Sequence, residues 1–379
     1  MSAYQPVGGK YFTRPFIFFL IVFLIGFYFM AERFILGMGS ISNLNGGFSW
    51  GIWVVYDVVI GTAFACGGYA VALTVYVLNK GKYHPLVRPA LLTSLLGYAL
   101  GGFGAFFDMG RWWQFYNIFL PWHWNFNSVL LEVGLCVALY IGVLAIEFSP
   151  AFLEKIGSKK LLNRVNKMMF FFIALGVLLP TMHQSSLGTL LIAMGHKVHP
   201  LWQTWQFQPL MAIISALTMG FSIVVFEGAF VSVGFNRVSE TPLLRGLGKA
   251  IVGLLITFLA VRFSLLLIQG NVAYLFKGDM ASLLYLLETV LFVVPIYILI
   301  SPVRRANGGK LLLAAISMLL GGALYRFDAF LLTFDPGPGY SYFPSMPEMM
   351  VTLGIISLEI MVFLIVVKTL PVLPREKHS

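Results

Sequence analysis

The sequence predicts an all-α integral membrane protein of about ten transmembrane helices. Its 379 residues are 59% hydrophobic and only 11% charged, against roughly 25% charged in a soluble domain. Mean hydropathy is +0.87. Apolar runs long enough to cross ~30 Å of hydrocarbon recur from end to end.

The first run, 15–36, follows a stretch holding Lys10 and Arg14 with no small-residue cleavage site, so it reads as a retained helix and not a signal peptide. The second, 51–78, is the longest, and Gly51, Gly61, Gly67 and Gly68 permit close helix approach or tilt. Runs three and four fall at 86–107 and 128–147. The fifth, about 168–194, encloses Leu178-Leu179-Pro180-Thr181-Met182-His183-Gln184-Ser185-Ser186. Pro180 leaves a carbonyl one turn earlier without its donor, and Thr181 can re-satisfy the backbone there. Five more runs follow at 209–233, 249–269, 282–300, 311–333 and 348–369. No soluble domain interrupts them.

Orientation follows from the basic residues. Nineteen of the 25 Lys and Arg, including Arg375 and Lys377, fall on the side holding both termini; Arg33, Arg111, Lys197 and Lys277 fall on the other. That bias predicts cytoplasmic termini and an even number of spans. The net charge of +10 therefore reflects loop topology and not a nucleic-acid partner. Cys66 and Cys136 lie in apolar runs without CxxC spacing, which makes them buried structural thiols and offers no metal site. The outer loops 38–50, 108–127, 195–208 and 334–347 are rich in Gly, Pro and aromatic residues. An interfacial belt explains part of this, and a docking surface for an extracytoplasmic partner explains it as well.

Ionisable groups inside the spans carry the functional reading, because each costs at least ~2.5–3.5 kcal/mol on insertion scales. Arg262, Glu288, Arg326 and Asp328 lie on consecutive helices, where two cations and two acids can neutralise one another. Asp57, Glu132 and His183 share outer depth with no cation among them, as a proton relay requires. Asp108 closes the third helix on the outer side. Glu147 and Glu227 lie near inner helix ends and Glu359 near mid-membrane, so a route from the cytoplasm through Glu132, Glu147 and Glu227 is conceivable. For His183 the bland alternative is a kinked packing helix held by polar hydrogen bonds.

Of the six histidines, His84, His123, His183, His196, His199 and His378, only His183 lies well inside a span. Haem b usually takes paired axial histidines, so no intrinsic haem is expected. Nothing resembles a nucleotide-binding loop or a hydrolase triad. A secondary transporter and a purely structural anchor remain as alternatives.

Longer motifs narrow the choice. Gly46-Gly47-Phe48-Ser49-Trp50-Gly51-Ile52-Trp53, leading into Asp57 and Cys66-Gly67-Gly68, resembles the opening of the first bundle in NrfD/PsrC-family quinone-reactive membrane subunits. Tyr83-His84-Pro85-Leu86-Val87-Arg88-Pro89, Asp108-Met109-Gly110-Arg111, the His183 segment and His199-Pro200-Leu201-Trp202-Gln203 resemble the HybB-type branch, the membrane subunits of hydrogenase-2 type nickel–iron hydrogenases. The likeness runs from Gly8-Gly9-Lys10 to Leu370-Pro371-Val372-Leu373-Pro374 and is weakest over 232–249 and 270–282.

The resemblance implies a peripheral helix over 1–37, a first four-helix bundle with the quinone and proton site over 50–208, a second over 209–334, and a final helix and tail over 335–379. It implies a bacterial inner-membrane protein of anaerobic respiration that passes electrons to menaquinone or ubiquinone. Its partners would be an extracytoplasmic ferredoxin-like iron–sulfur subunit, the hydrogenase small and large subunits, and membrane lipid. Asp57 stands where some members carry a quinone-site His, while Trp53 replaces a polar family residue. His183, Asp57 and Glu132 would deliver protons; Tyr98, Asp108 and Arg111 would join His183 and Asp57 around the quinone. The surface formed by Gly97, Gly101, Gly102, Phe103, Phe106 and Phe107 offers a slot for the isoprenoid tail, and core packing explains that surface equally well.

Overall fold

The computed structural model describes residues 4–235, 237 and 240–374; Arg375, Lys377 and His378 lie outside the described residues. Among those described, ten helices are long and apolar enough to cross a membrane, and the chain is a multi-pass membrane protein. They are α1 (Arg14–Leu36), α2 (Trp53–Val77), α3 (Gly81–Asp108), α4 (Val129–Ile156), α5 (Lys159–Lys197), α6 (Trp205–Gly234), α7 (Thr241–Ile268), α8 (Met280–Ile300), α9 (Gly308–Leu332) and α10 (Met346–Thr369). The first and last described residues lie on one face, tied by a two-residue antiparallel pairing of Tyr4–Gln5 with Leu373–Pro374. The opposite face carries the long aromatic loops.

Helix neighbours follow the chain. α2 packs on α3, α3 on α4, α4 on α5, and α5 back on α2; α6, α7, α8 and α9 close a second ring in the same way. α2 also packs on α6, which joins the rings, while α1 lies along α10 and α10 against α3. The crossing of α1 and α10 is backbone to backbone: a Cβ on Gly26 would lie 2.7 Å from the Met350 carbonyl oxygen. Burial ranks the helices accordingly. In its most apolar stretch α2 is 83% buried and α1 only 17%. α2 is therefore central, and α1 turns Phe18, Ile21, Leu24, Phe27 and Tyr28 outward.

Several helix ends, and the winding of α2, differ from the hydropathy reading: α4 runs on to Ile156 and α7 starts at Thr241, eight or nine residues beyond their apolar runs. α5 starts at Lys159, well before the apolar run at 168, because backbone bonding continues past the hydrocarbon and leaves Lys159, Lys160, Arg164 and Lys167 on its protruding first turns. α2 is not uniform. It is π-helical over Trp53–Ile60 and Leu73–Val77, with its α-helical middle broken by a turn at Ala65 and Cys66. A third π segment, Asp328–Leu332, ends α9. Such windings free or displace backbone carbonyls and are frequent at functional sites.

Candidate functional site

The π-helical start of α2 sets up the site. At its end the carbonyls of Val58 and Val59 accept from side chains: Thr62 Oγ1 donates to Val58 at 2.5 Å and Arg326 Nη1 to Val59 at 2.9 Å. Thr62 has a single proton, and its shortest contact spends it on the carbonyl. Its oxygen therefore accepts from His183 Nε2 at 3.0 Å and from Gln184 Nε2 at 3.2 Å. This fixes the tautomer: Nε2 carries the hydrogen, and Nδ1 is a buried atom with no partner. The ring is fully enclosed, with the Tyr98 ring edge-on at 5.7 Å.

Gln184 extends the network. Its Oε1 accepts from Arg326 Nη2 at 2.9 Å, and the same nitrogen reaches the Ala212 carbonyl at 3.0 Å and Ser215 Oγ at 3.1 Å. One connected set of polar groups thus joins α2, α5, α6 and α9 where the two rings meet. Tyr98 completes the wall, 0% exposed, its hydroxyl 3.7 Å from Cys66 Sγ. Both cysteines are buried free thiols. Pro180 lies within a continuous α5, where Thr181 Oγ1 donates to Val177 at 2.7 Å.

Several sequence expectations do not hold at this level. Arg326 does not pair with Asp328; it turns inward to Gln184, so the His183 neighbourhood holds a cation after all. Arg262 and Glu288 do pair, fully buried, with Trp202 Nε1 donating to the second Glu288 oxygen at 3.0 Å and the guanidinium 3.9 Å over the Tyr285 ring. Asp328 is left with both oxygens unpartnered. Glu132 does not join His183 and Asp57. It is exposed in the first turn of α4, where a carboxylate suits the helix dipole.

Asp57 is buried on α2 but faces α3, not His183. A Cβ on Gly104 would lie 2.8 Å from Asp57 Oδ2, which has no partner. Asp108, at the end of α3, accepts weakly from the Gly51 amide at 3.4 Å and keeps Oδ1 unpartnered. Beside it Arg33, counted among the outer-side charges at the end of the first run, is buried at 1% exposed. Its guanidinium holds the Phe107 and Met109 carbonyls at 2.9 and 2.5 Å. Arg111 is exposed on the surface. Trp53 is a tie, donating to the Glu348 carbonyl at 3.1 Å and packing on Phe107. Tyr342 donates to Glu348 at 2.6 Å. Burial raises that hydroxyl's pKa and the bond to Glu348 raises it further, which keeps it a donor.

On the chain-end side, Glu147 is buried against Gly176 with one oxygen unpartnered. Glu227 accepts from Thr93 and lines a cavity of about 40 Å³ with Arg237 and Glu240. A second cavity, of about 260 Å³, is wholly apolar and lies between α1, α3 and α10; Phe27, Met30, Phe34, Phe103, Phe107 and Leu358 are among its walls. Sequence reasoning missed Thr62, since a lone Thr in an apolar run carries no signal of what it faces, and gave Gln184, within the polar segment around His183, no role of its own.

The family described as Polysulphide reductase, NrfD, matches residues 40–333. The chain is 45% identical over 377 residues to the probable Ni/Fe-hydrogenase 2 b-type cytochrome subunit of Escherichia coli K12, covering 99% of this chain and 96% of that one. It is 33% identical to one protein of Nitratidesulfovibrio vulgaris (93% of this chain and 92% of that one). To another protein of the same organism, the menaquinone reductase integral membrane subunit, identity is 27% (90% and 87% covered).

The first of these names points to haem and overturns the expectation, drawn from the histidine count, that intrinsic haem is absent. Among the described histidines His183 alone offers a buried, unpartnered nitrogen within a span. Thr62, Gln184 and Tyr98 enclose its ring, and neither cavity reaches it. As placed, these residues do not fit a porphyrin.

Proposed function

The chain belongs to the NrfD family, and on that premise we propose that it is the quinone-reactive subunit of a nickel–iron hydrogenase, passing electrons from an iron–sulfur partner to menaquinone or ubiquinone with coupled proton transfer. At the coarser level it is a membrane subunit of a respiratory redox complex, which implies catalytic and iron–sulfur partners. Support for the finer reading is the buried network around His183, together with the long likeness to a hydrogenase subunit and to a menaquinone reductase subunit.

A quinone supplies a two-electron, two-proton acceptor. What this chain contributes is proton handling and enclosure. Thr62 orients the His183 ring and leaves Nδ1 as the site that takes up or releases a proton. Arg326, through Gln184, holds Thr62 and His183 in register and keeps a fixed positive charge beside the ring. Asp57 and Asp108, each with an unpartnered oxygen, are further proton carriers toward the outer side. The apolar cavity between α1, α3 and α10 suits the prenyl tail. The exposed loop Trp112–Phe119, with Trp122 and Phe126 beyond it, suits the iron–sulfur partner. The division into bundles over 50–208 and 209–334 is part of this reading, as are the bacterial inner membrane and cytoplasmic termini, which rest on the basic-residue bias.

The test is paired activity of the purified complex, hydrogen to quinone and hydrogen to soluble dye. His183→Ala is expected to assemble, to keep the dye reaction within about twofold, and to lose the quinone reaction by roughly the 10²–10⁴-fold of general acid–base catalysis. Unchanged quinone turnover refutes the assignment of His183.

A further inference from the structure

The protruding first turns of α5 hold Lys159, Lys160, Arg164 and Lys167, and the last turn of α4 adds Lys155. All five are exposed. α5 contains no acid from end to end. Glu154, the acid next to Lys155 in the chain, is held by Arg88. None of the five side chains makes a hydrogen bond or ion pair with a described residue. Other cations on the chain-end side are committed to the protein: Arg88 also to the Pro371 carbonyl, Arg305 to the Leu299 carbonyl and Lys368 to the Lys10 carbonyl. The α4–α5 hairpin thus presents charges of one sign that no described residue answers.

Loop topology explains a surplus of cations on this side, but not their register. Lys160, Arg164, Lys167, Phe171, Ala174 and Leu178 follow at spacings of four, three, four, three and four residues, one stripe of an α-helix. Every member is exposed, Phe171 at 59% and Leu178 at 52%. The stripe is cationic at its chain-end side and apolar beyond. From Lys167 to Leu178 it rises ~16 Å at 1.5 Å per residue, about one leaflet of a ~30 Å hydrocarbon core. Ala174, the smallest member, leaves a notch between Phe171 and Leu178. Such a stripe matches an amphiphile, with an anionic head beside the cations and a hydrocarbon chain along the apolar half. A soluble acidic protein would meet the charges and leave that half uncovered.

We propose that the outward stripe of α5 is a binding site for an anionic phospholipid of the leaflet on the chain-end side. Lys160, Arg164 and Lys167 hold its phosphate, with Lys155 and Lys159 adding charge at the hairpin tip. One acyl chain lies along Phe171, Ala174 and Leu178. The site stands apart from the quinone reading, although the same helix carries His183 in the interior.

The experiment reconstitutes the whole complex in vesicles of phosphatidylglycerol and phosphatidylethanolamine. Trace photoactivatable phosphatidylglycerol is compared with photoactivatable phosphatidylethanolamine of the same acyl chains, and labelled peptides are measured by mass spectrometry. The anionic probe is expected to label residues 159–178 at least tenfold more than the zwitterionic one, and soluble glycerophosphoglycerol is expected not to compete. Lys160→Gln/Arg164→Gln/Lys167→Gln is expected to bring the ratio near one. Lys80→Gln/Lys82→Gln, which removes exposed cations elsewhere on the same side, is expected to leave it unchanged. Equal labelling by the two probes in wild type overturns the site, as does a preference that persists in the triple variant. Displacement by the soluble headgroup overturns it in favour of free phosphate esters, and an unlabelled hairpin overturns it in favour of a protein partner. The wild-type ratio decides even if the triple variant fails to assemble.

Discussion

Thr62 has one proton and two oxygen-side duties, and its contact to the Val58 carbonyl decides how they are divided. Replacing it with the near-isosteric Val leaves His183 Nε2–H and one Gln184 donor without an acceptor. An unsatisfied buried donor costs ~1–3 kcal/mol, and the ring loses the contact that sets its tautomer. Thr62→Val is therefore expected to lower quinone turnover about tenfold, equivalent to ~1.4 kcal/mol, with the hydrogen-to-dye rate unchanged. Thr62→Ser keeps the oxygen and should retain most activity. Equal activity in all three would mean that His183 is positioned by packing alone. The polar, Pro-containing segment around His183 was legible in the sequence; its acceptor, about 120 residues away on α2, was not.

On the scale of elements, the Arg262–Glu288 pair joins α7 to α8 inside the second ring, with the guanidinium layered on Tyr285. Removing one member of a buried pair costs ~3–5 kcal/mol, because the remaining charge is stranded, whereas replacing both by apolar groups is often neutral. Glu288→Gln is expected to lower accumulation of the chain in the membrane and its thermal stability in detergent. Arg262→Met/Glu288→Met should recover much of both, measured by yield and unfolding midpoint. Failure of the double variant to recover would give the pair a role beyond structure. Pairing of these two follows from their placement on consecutive helices. The parting of Arg326 from Asp328 does not, since two residues apart on a helix do not face the same way.

For the whole molecule, the surfaces divide by partner. Lipid-facing helices such as α1 carry Phe and Leu outward, while the loop between α3 and α4 exposes Trp113, Trp122 and Phe126 at 56%, 75% and 84%. Exposed aromatics beyond the span ends are what interfaces bury. Trp122→Ala/Phe126→Ala is expected to reduce copurification of the iron–sulfur and hydrogenase subunits several-fold while leaving the chain itself inserted and stable. Retention of the full complex at wild-type yield would move the docking surface to another outer loop.

Membrane class, the ten spans and the family were all legible in the chain alone, because each is written in local composition, basic-residue counts or contiguous motifs. So was the interest of His183, since an imidazole in an apolar run is costly wherever it faces. Which polar groups meet is a matter of tertiary packing. Arg326 joins His183 through Gln184, Glu132 turns outward, Arg33 is buried, and Asp57 and Glu359 meet one stripe of α3. The reason is rotational: depth along a span can be counted from the sequence, but every helical residue turns ~100° from the last. The direction a side chain faces is set by packing between helices, and here also by the π-helical winding of α2, which shifts the register within a single span.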